Sequence, residues 1–185
     1  MIINRRAFMA AILISPLALF AVVRGAVAAS AEEIDTKVDG ALAQFSEEVP
    51  GGAEFLNKAK GVLVFPTITK AGLGIGGEYG TGALRIGGKS VQYYNLASAS
   101  FGFQIGAQQY SIVMTFLTDE ALQQFRDSKG WEAGVDGSVA VAEWGAGDDI
   151  NTKKFKDPIV SFVFGNKGLM AGVSIEGSKI TKIEK

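Results

Sequence analysis

Gly61-Val-Leu-Val-Phe-Pro66 and then Lys70-Ala-Gly-Leu-Gly-Ile-Gly-Gly-Glu-Tyr-Gly-Thr-Gly82 decide how this chain folds. An apolar run of β character halts at a proline and is followed by a strand-like segment with glycine at every second position. Side chains alternate faces along a strand, so Gly72, Gly74 and Gly76 leave one face bare while Ala71, Leu73 and Ile75 fill the other. A bare face admits close approach by a helix, a second sheet or a ligand. Gly102 and Gly106 repeat the pattern downstream, and Gly168 and Gly172, with Ser174, repeat it near the C-terminus. Together these strands could line a shallow groove for a ligand or an acyl chain. The plainer reading is that the glycines shape the sheet, by admitting a helix or by kinking it.

Outward from this stretch the period changes. Upstream, Ile34, Val38, Ala41, Leu42 and Phe45 fall on one stripe of a 3.6-residue period, which predicts an amphipathic helix from Ala31 to Phe45 with Ser30 as N-cap. Pro50-Gly51-Gly52 breaks the chain, and a short helix is expected over 53–60. Downstream, alternation predicts strands over 61–65, 71–79, 82–87, 90–97, 99–107 and 110–117. Thr118-Asp-Glu120 opens a helix running to about Ser128, and further strands are expected near 134–144, 158–164, 168–175 and 178–184. The sum is one α+β domain over 29–185 with a mostly antiparallel sheet curled into a barrel or sandwich, N-terminal amphipathic helices and one helix inserted mid-chain.

The chain has 185 residues, 48% of them hydrophobic, and 24 glycines. That glycine excess, without a collagen period, fits a turn-rich β protein. A formal charge of −1 gives no sign of a nucleic-acid binder. Cysteine and histidine are both absent, which excludes disulfides, thiolate chemistry and the commonest general base. No catalytic constellation emerges from the remaining groups, and a non-enzymatic protein without cofactor or metal is expected.

Residues 1–28 have the layout of a cleaved export signal: Arg5-Arg6, an apolar stretch from Ala7 to Val23, and small residues at Ala26 and Ala28 before the cut. Asn4-Arg-Arg-Ala-Phe-Met9 follows the twin-arginine pattern. Cleavage would remove three arginines and no acid, leaving 15 bases against 19 acids. The expected product is mildly acidic and periplasmic or secreted.

Several motifs need weighing. Gly72-x-Gly74-x-x-Gly77 spells the dinucleotide fingerprint, but the turn-rich Glu78–Gly82 that follows cannot begin the helix it requires. Asp148, Asp149 and Asn151, with Glu143 upstream, offer oxygen ligands but lack the spacing of a calcium loop, so an exposed hairpin loop is the better reading. Lys153-Lys154-Phe155-Lys156 interleaves an aromatic with positive charge, as a membrane-surface patch would; an ordinary solvated loop also explains it. Lys58, Lys60 and Lys70 flank the helix-to-strand junction and could form a second basic face. Trp131 and Trp144 read as packing residues.

Ala59-Lys-Gly-Val-Leu-Val-Phe-Pro66, Lys70–Gly80, Ser100-Phe-Gly-Phe-Gln-Ile-Gly-Ala-Gln108 and the segment from Phe116 to Phe125 resemble successive blocks of the SYLF-domain family. The resemblance extends over about 31–185. It implies a lipid-binding module, with phosphoinositide binding in eukaryotic members and actin binding in fungal relatives. It also implies membrane contact through the N-terminal amphipathic helix and nearby bases. Here that helix carries Lys37 against Glu32, Glu33, Asp35 and Asp39, so anionic lipid should repel it. Actin does not suit an exported protein.

The leading expectation is an exported module that binds phospholipid or a membrane surface, with Lys58, Lys60, Lys70, Lys153, Lys154, Phe155 and Lys156 as contact residues. The residues leave open a carrier of a small apolar ligand and a structural or stress protein acting through protein partners. An outer-membrane barrel is disfavoured, because the glycine-rich strands supply no continuous apolar band.

Overall fold

The computed structural model describes residues 29–142, 156–165, 168–169 and 174–185. Among the described residues, three helices and seven strands follow in the order α1 (Ala31–Glu48), α2 (Gly52–Lys58), β1 (Gly61–Ile86), β2 (Lys89–Phe116), α3 (Asp119–Asp127), β3 (Trp131–Glu132), β4 (Ala140–Val141), β5 (Ile159–Gly165), β6 (Gly168–Leu169) and β7 (Lys179–Ile183). All the described strands belong to one sheet, antiparallel except for the β4–β5 pair. This is the expected α+β class.

The six strands expected between 61 and 117 are two. β1 and β2 form one long hairpin, in register from Ile86↔Lys89 at the turn to Gly61↔Phe116 at the open end. The turn is Gly87-Gly88, both in the left-handed region (φ +58° and +79°), the conformation a tight two-residue hairpin turn demands. Pro66 and the glycines end neither strand. Pro66 falls within a register shift between Phe65 and Ile68, where a missing N–H costs no ladder bond, and a second shift lies between Leu73 and Gly74.

The hairpin curls back on itself. Lys70 and Glu78 lie on the same strand, yet their side chains form an ion pair at 2.8 Å. Eight residues of straight strand would span about 26 Å. The strand must therefore bend through Gly72–Gly76, and the tip half of the hairpin returns over the open half. Where the two halves meet, a Cβ built on Gly82 would lie 2.0 Å from the Val64 carbonyl oxygen, and one on Gly80 would lie 2.4 Å from Ile68 Cδ1. Only glycine permits that approach.

Outside the hairpin, β2 pairs along its other edge with β7 over Tyr93–Ala97 and with β5 over Ser111–Phe116. Alternation then divides the core. Leu63, Phe65, Met114 and Phe116 face the inside of the curl, where Leu84, Tyr94, Leu96, Ile180 and α3 fill the space. Val62, Val64, Val113, Phe162 and Phe164 face outward and are covered by α1 and α2. Trp131 is buried in the inner core, edge-on to Phe125 at 5.5 Å.

The helices match their expected spans with small changes. Ser30 caps α1 by accepting from the Glu33 N–H, Thr118 caps α3 by accepting from Ala121, and α1 runs one turn past Phe45. Near the C-terminus the strand expected over 134–144 is mostly turn. Gly134 has φ +82°, and the Asp136 carboxylate accepts the Glu132 N–H at 2.7 Å, so among the described residues of that span only Ala140–Val141 is strand. Trp144 and the Glu143, Asp148, Asp149, Asn151 loop lie outside the described residues. Among the described helices none is long and apolar enough to cross a membrane.

Candidate functional site: the cleft at the helix–hairpin junction

α1 carries its apolar stripe inward. Ile34, Val38, Ala41 and Phe45 are buried, and the Phe45 ring packs on Phe162 and Phe164 with centroids 4.9 and 5.7 Å apart. In this fold these four residues are part of the core, and Leu42 of the same stripe stays half-buried at its edge. The helix is held at its other side by a polar lock. Arg85, near the hairpin tip, pairs with Asp39 at 2.8 Å and donates to the Gly88 carbonyl at 3.0 Å. Asp35 accepts from the Ser90 hydroxyl at 2.6 Å and the Tyr93 hydroxyl at 3.1 Å. Burial and the Asp35 carboxylate together push the Tyr93 phenol up from its ordinary pKa. The arrangement closes the seam of the curl, because α1 covers both Val64 at the start of β1 and Ala83 near its end.

Beside this lock an open cleft of about 380 Å³ separates α1 and α2 from the hairpin tip. Leu42, Leu56, Ala59 and Val62 give it an apolar wall, the Asp39–Arg85 pair a polar one, and Gly87-Gly88 part of its rim. Lys60 stands at its α2–β1 end.

The expected contact lysines are distributed unequally. Lys58 and Lys60 share this junction. Lys58 pairs with Glu54 one turn earlier, and Lys60 lies 3.5 Å from Asp119. Lys70 is elsewhere, on the bend of β1, where it meets the buried carboxylate of Glu78. The second Glu78 oxygen accepts the Tyr110 hydroxyl at 2.6 Å, and burial, then that carboxylate, drive the Tyr110 phenol far up from its ordinary value. Lys156 is exposed. Lys153, Lys154 and Phe155 lie outside the described residues.

The glycines are brought together more closely than the lysines. Gly72 pairs with Gly106, Gly74 with Gly102 and Gly76 with Ser100, all in the bend of the hairpin. Gly168 pairs instead with Gly165 on β5, and Gly172 lies outside the described residues. The close-approach role falls to Gly80 and Gly82, which a motif search centred on 72–76 passes over. The signal for them was present in the Gly80-Thr-Gly82 doublet, which reads as a turn until the partner strand is known. Gly72–Gly77 lies wholly within β1, so no helix N-terminus follows the dinucleotide-like spacing. Among the described residues no group of three acidic or metal-ligating side chains is placed to hold a metal ion.

Residues 97–185 match the family model described as "Ysc84: Las17-binding protein actin regulator". A search of curated proteins gives no match. The matched span takes in the Ser100–Gln108 block, α3 and every strand after β2, while the Ala59–Pro66 and Lys70–Gly80 blocks precede it. Residues 97–185 are thus similar to the Ysc84 family, the SYLF family whose sequence blocks the chain resembles.

Proposed function

We propose that this protein is an exported, non-enzymatic module that binds phospholipid at a membrane surface. The observation that carries the reading is the helix–hairpin junction: Lys60 lines an open, apolar-walled cleft, and Lys58 ends the helix two residues earlier. α1 supports this reading less directly: most of its apolar stripe is spent on the core and its first turn is acidic. Lys153, Lys154, Phe155 and Lys156 form a second candidate contact. Each lysine near anionic headgroups contributes about 1 kcal/mol, so two or three together give weak, salt-sensitive association. The matched family is named for binding another protein and regulating actin. A twin-arginine signal on residues 1–28 would place this chain in the periplasm or outside the cell, away from actin, and the lipid binding that the SYLF resemblance implies is the reading we adopt. A carrier enclosing its ligand inside the curl is disfavoured, because Leu63, Phe65, Ile68 and Leu84 fill that space with no exposed surface.

The test is co-sedimentation of the exported form with anionic and neutral vesicles over a salt series. Binding to anionic vesicles at low salt, weakened by Lys58→Glu and by Lys153→Glu and lost at high salt, is the expected result. Absence of binding to either vesicle at low salt would refute the proposal.

A further inference from the structure

We infer that the cleft between α1, α2 and the hairpin tip seats a single-chain anionic amphiphile, an alkyl chain ending in a carboxylate or a phosphate monoester. This rests on the lipid-binding reading above and gives the ligand a shape and a seat.

Three observations converge on it. At about 380 Å³ the cleft lies at the small end of the range for ligand pockets, which suits one chain and not two. Its apolar wall is unfinished. Leu42 from α1 and Leu56 and Ala59 from α2 pack against the edge of the outer core but stay partly exposed, and Val62 continues the strip on β1. An alkyl chain laid along that strip would cover aliphatic surface that the protein leaves to water.

The charges then choose the head group. Arg85 is committed to Asp39 and to the Gly88 carbonyl. Lys60 is not held in that way: its contact with Asp119 is long, at 3.5 Å, and the two side chains are 49% and 77% exposed. A pair so open to solvent contributes little. The ammonium can therefore exchange Asp119 for a ligand anion, with the Asn57 side chain, on the same wall, as a second donor. One exchangeable cation beside an aliphatic strip matches one anionic head on one chain.

The test titrates methyl-labelled protein with decanoate, decyl phosphate and decanol below their aggregation limits, with acetate and inorganic phosphate as head groups alone. Decanoate and decyl phosphate should shift the Leu42, Leu56 and Val62 methyls saturably, and the isolated head groups should not. Lys60→Gln should weaken both charged amphiphiles roughly tenfold and leave decanol unchanged. Leu56→Trp should block all three, and Leu42→Phe provides a second occlusion if the first variant folds poorly. The inference is overturned if no saturable shift occurs. It is equally overturned if both occluding variants bind as the parent does, or if inorganic phosphate binds as tightly as decyl phosphate. Vesicle binding without amphiphile binding sinks the seat and leaves the membrane module standing. Amphiphile binding without vesicle binding keeps the seat and sinks the membrane module.

Discussion

A methyl group added at Gly82 has nowhere to go, because the Val64 carbonyl already occupies the space 2.0 Å from its position. Gly82→Ala must push two halves of the sheet apart and should cost about 2–3 kcal/mol, read as a lowered urea midpoint. Gly77→Ala is the control. Its Cβ would meet only the Ser98 carbonyl at 3.7 Å, ordinary contact, so its midpoint should hold or rise slightly. Two buried tyrosines make a second contrast. Tyr110 donates to the buried Glu78 carboxylate, whereas the Tyr94 hydroxyl is buried with no partner among the described residues. Tyr110→Phe should therefore cost about 1.5–3 kcal/mol, and Tyr94→Phe should be neutral or stabilising at pH 7. Both phenols titrate late. Burial pushes Tyr94 up to about 12, and burial with the Glu78 carboxylate pushes Tyr110 up as well. A pKa raised by folding means that the native state keeps protons the unfolded chain has lost. Stability is thus whole below the ordinary tyrosine value near 10 and falls as pH rises from there, by about 1.4 kcal/mol per pH unit per tyrosine. Urea midpoints at pH 9, 10 and 11 should show the decline, and Tyr94→Phe should make it shallower.

The helices were legible in the sequence because their evidence is local: the stripe of Ile34, Val38, Ala41 and Phe45, and the caps at Ser30 and Thr118, all lie within a few turns. The hairpin was not, because glycine and proline punctuate a chain only where the backbone is free to turn. Pro66 sits within a register shift, and the glycines near 72–76 and 102–106 pair with each other across the ladder, so residues that look like strand ends lie inside two long strands. The site was legible by halves. Lys58 and Lys60 share the expected junction. The partner of Lys70 could not be foreseen, since two residues eight apart on a strand meet only if the strand bends. The polar lock on α1 was invisible for the same reason, being built from residues about 50 positions apart. It yields a prediction at this scale. Asp35→Ala strips the Ser90 and Tyr93 hydroxyls of their acceptor while leaving Arg85 its Asp39, and should cost about 1–2 kcal/mol. Hydrogen exchange should show the loss first in the amides of the N-terminal half of α1.

At the scale of the whole molecule, one sheet carries a core on each side, and α1 belongs to the outer one as fully as α3 does to the inner. Unfolding should therefore be a single transition. Trp131 fluorescence, in a Trp144→Phe background, reports the inner core, and far-ultraviolet dichroism weights the helices; the two curves should coincide. A dichroism change at lower urea would mean that α1 undocks alone. The pairing also sets an order of assembly. The hairpin can zip outward from Gly87-Gly88, each new pair closing a loop only slightly longer than the last, at small entropic cost. α1 packs in part on the hairpin, at Val64 and Ala83, but the rings that receive Phe45 are Phe162 and Phe164, which come much later in the chain. During synthesis the first helix emerges early, and the Phe45 end of its stripe stays incompletely covered until β5 has been made. A chain shortened before Ile159 would keep the hairpin's own register but leave Phe45 without the two rings it packs on, and should associate or be degraded.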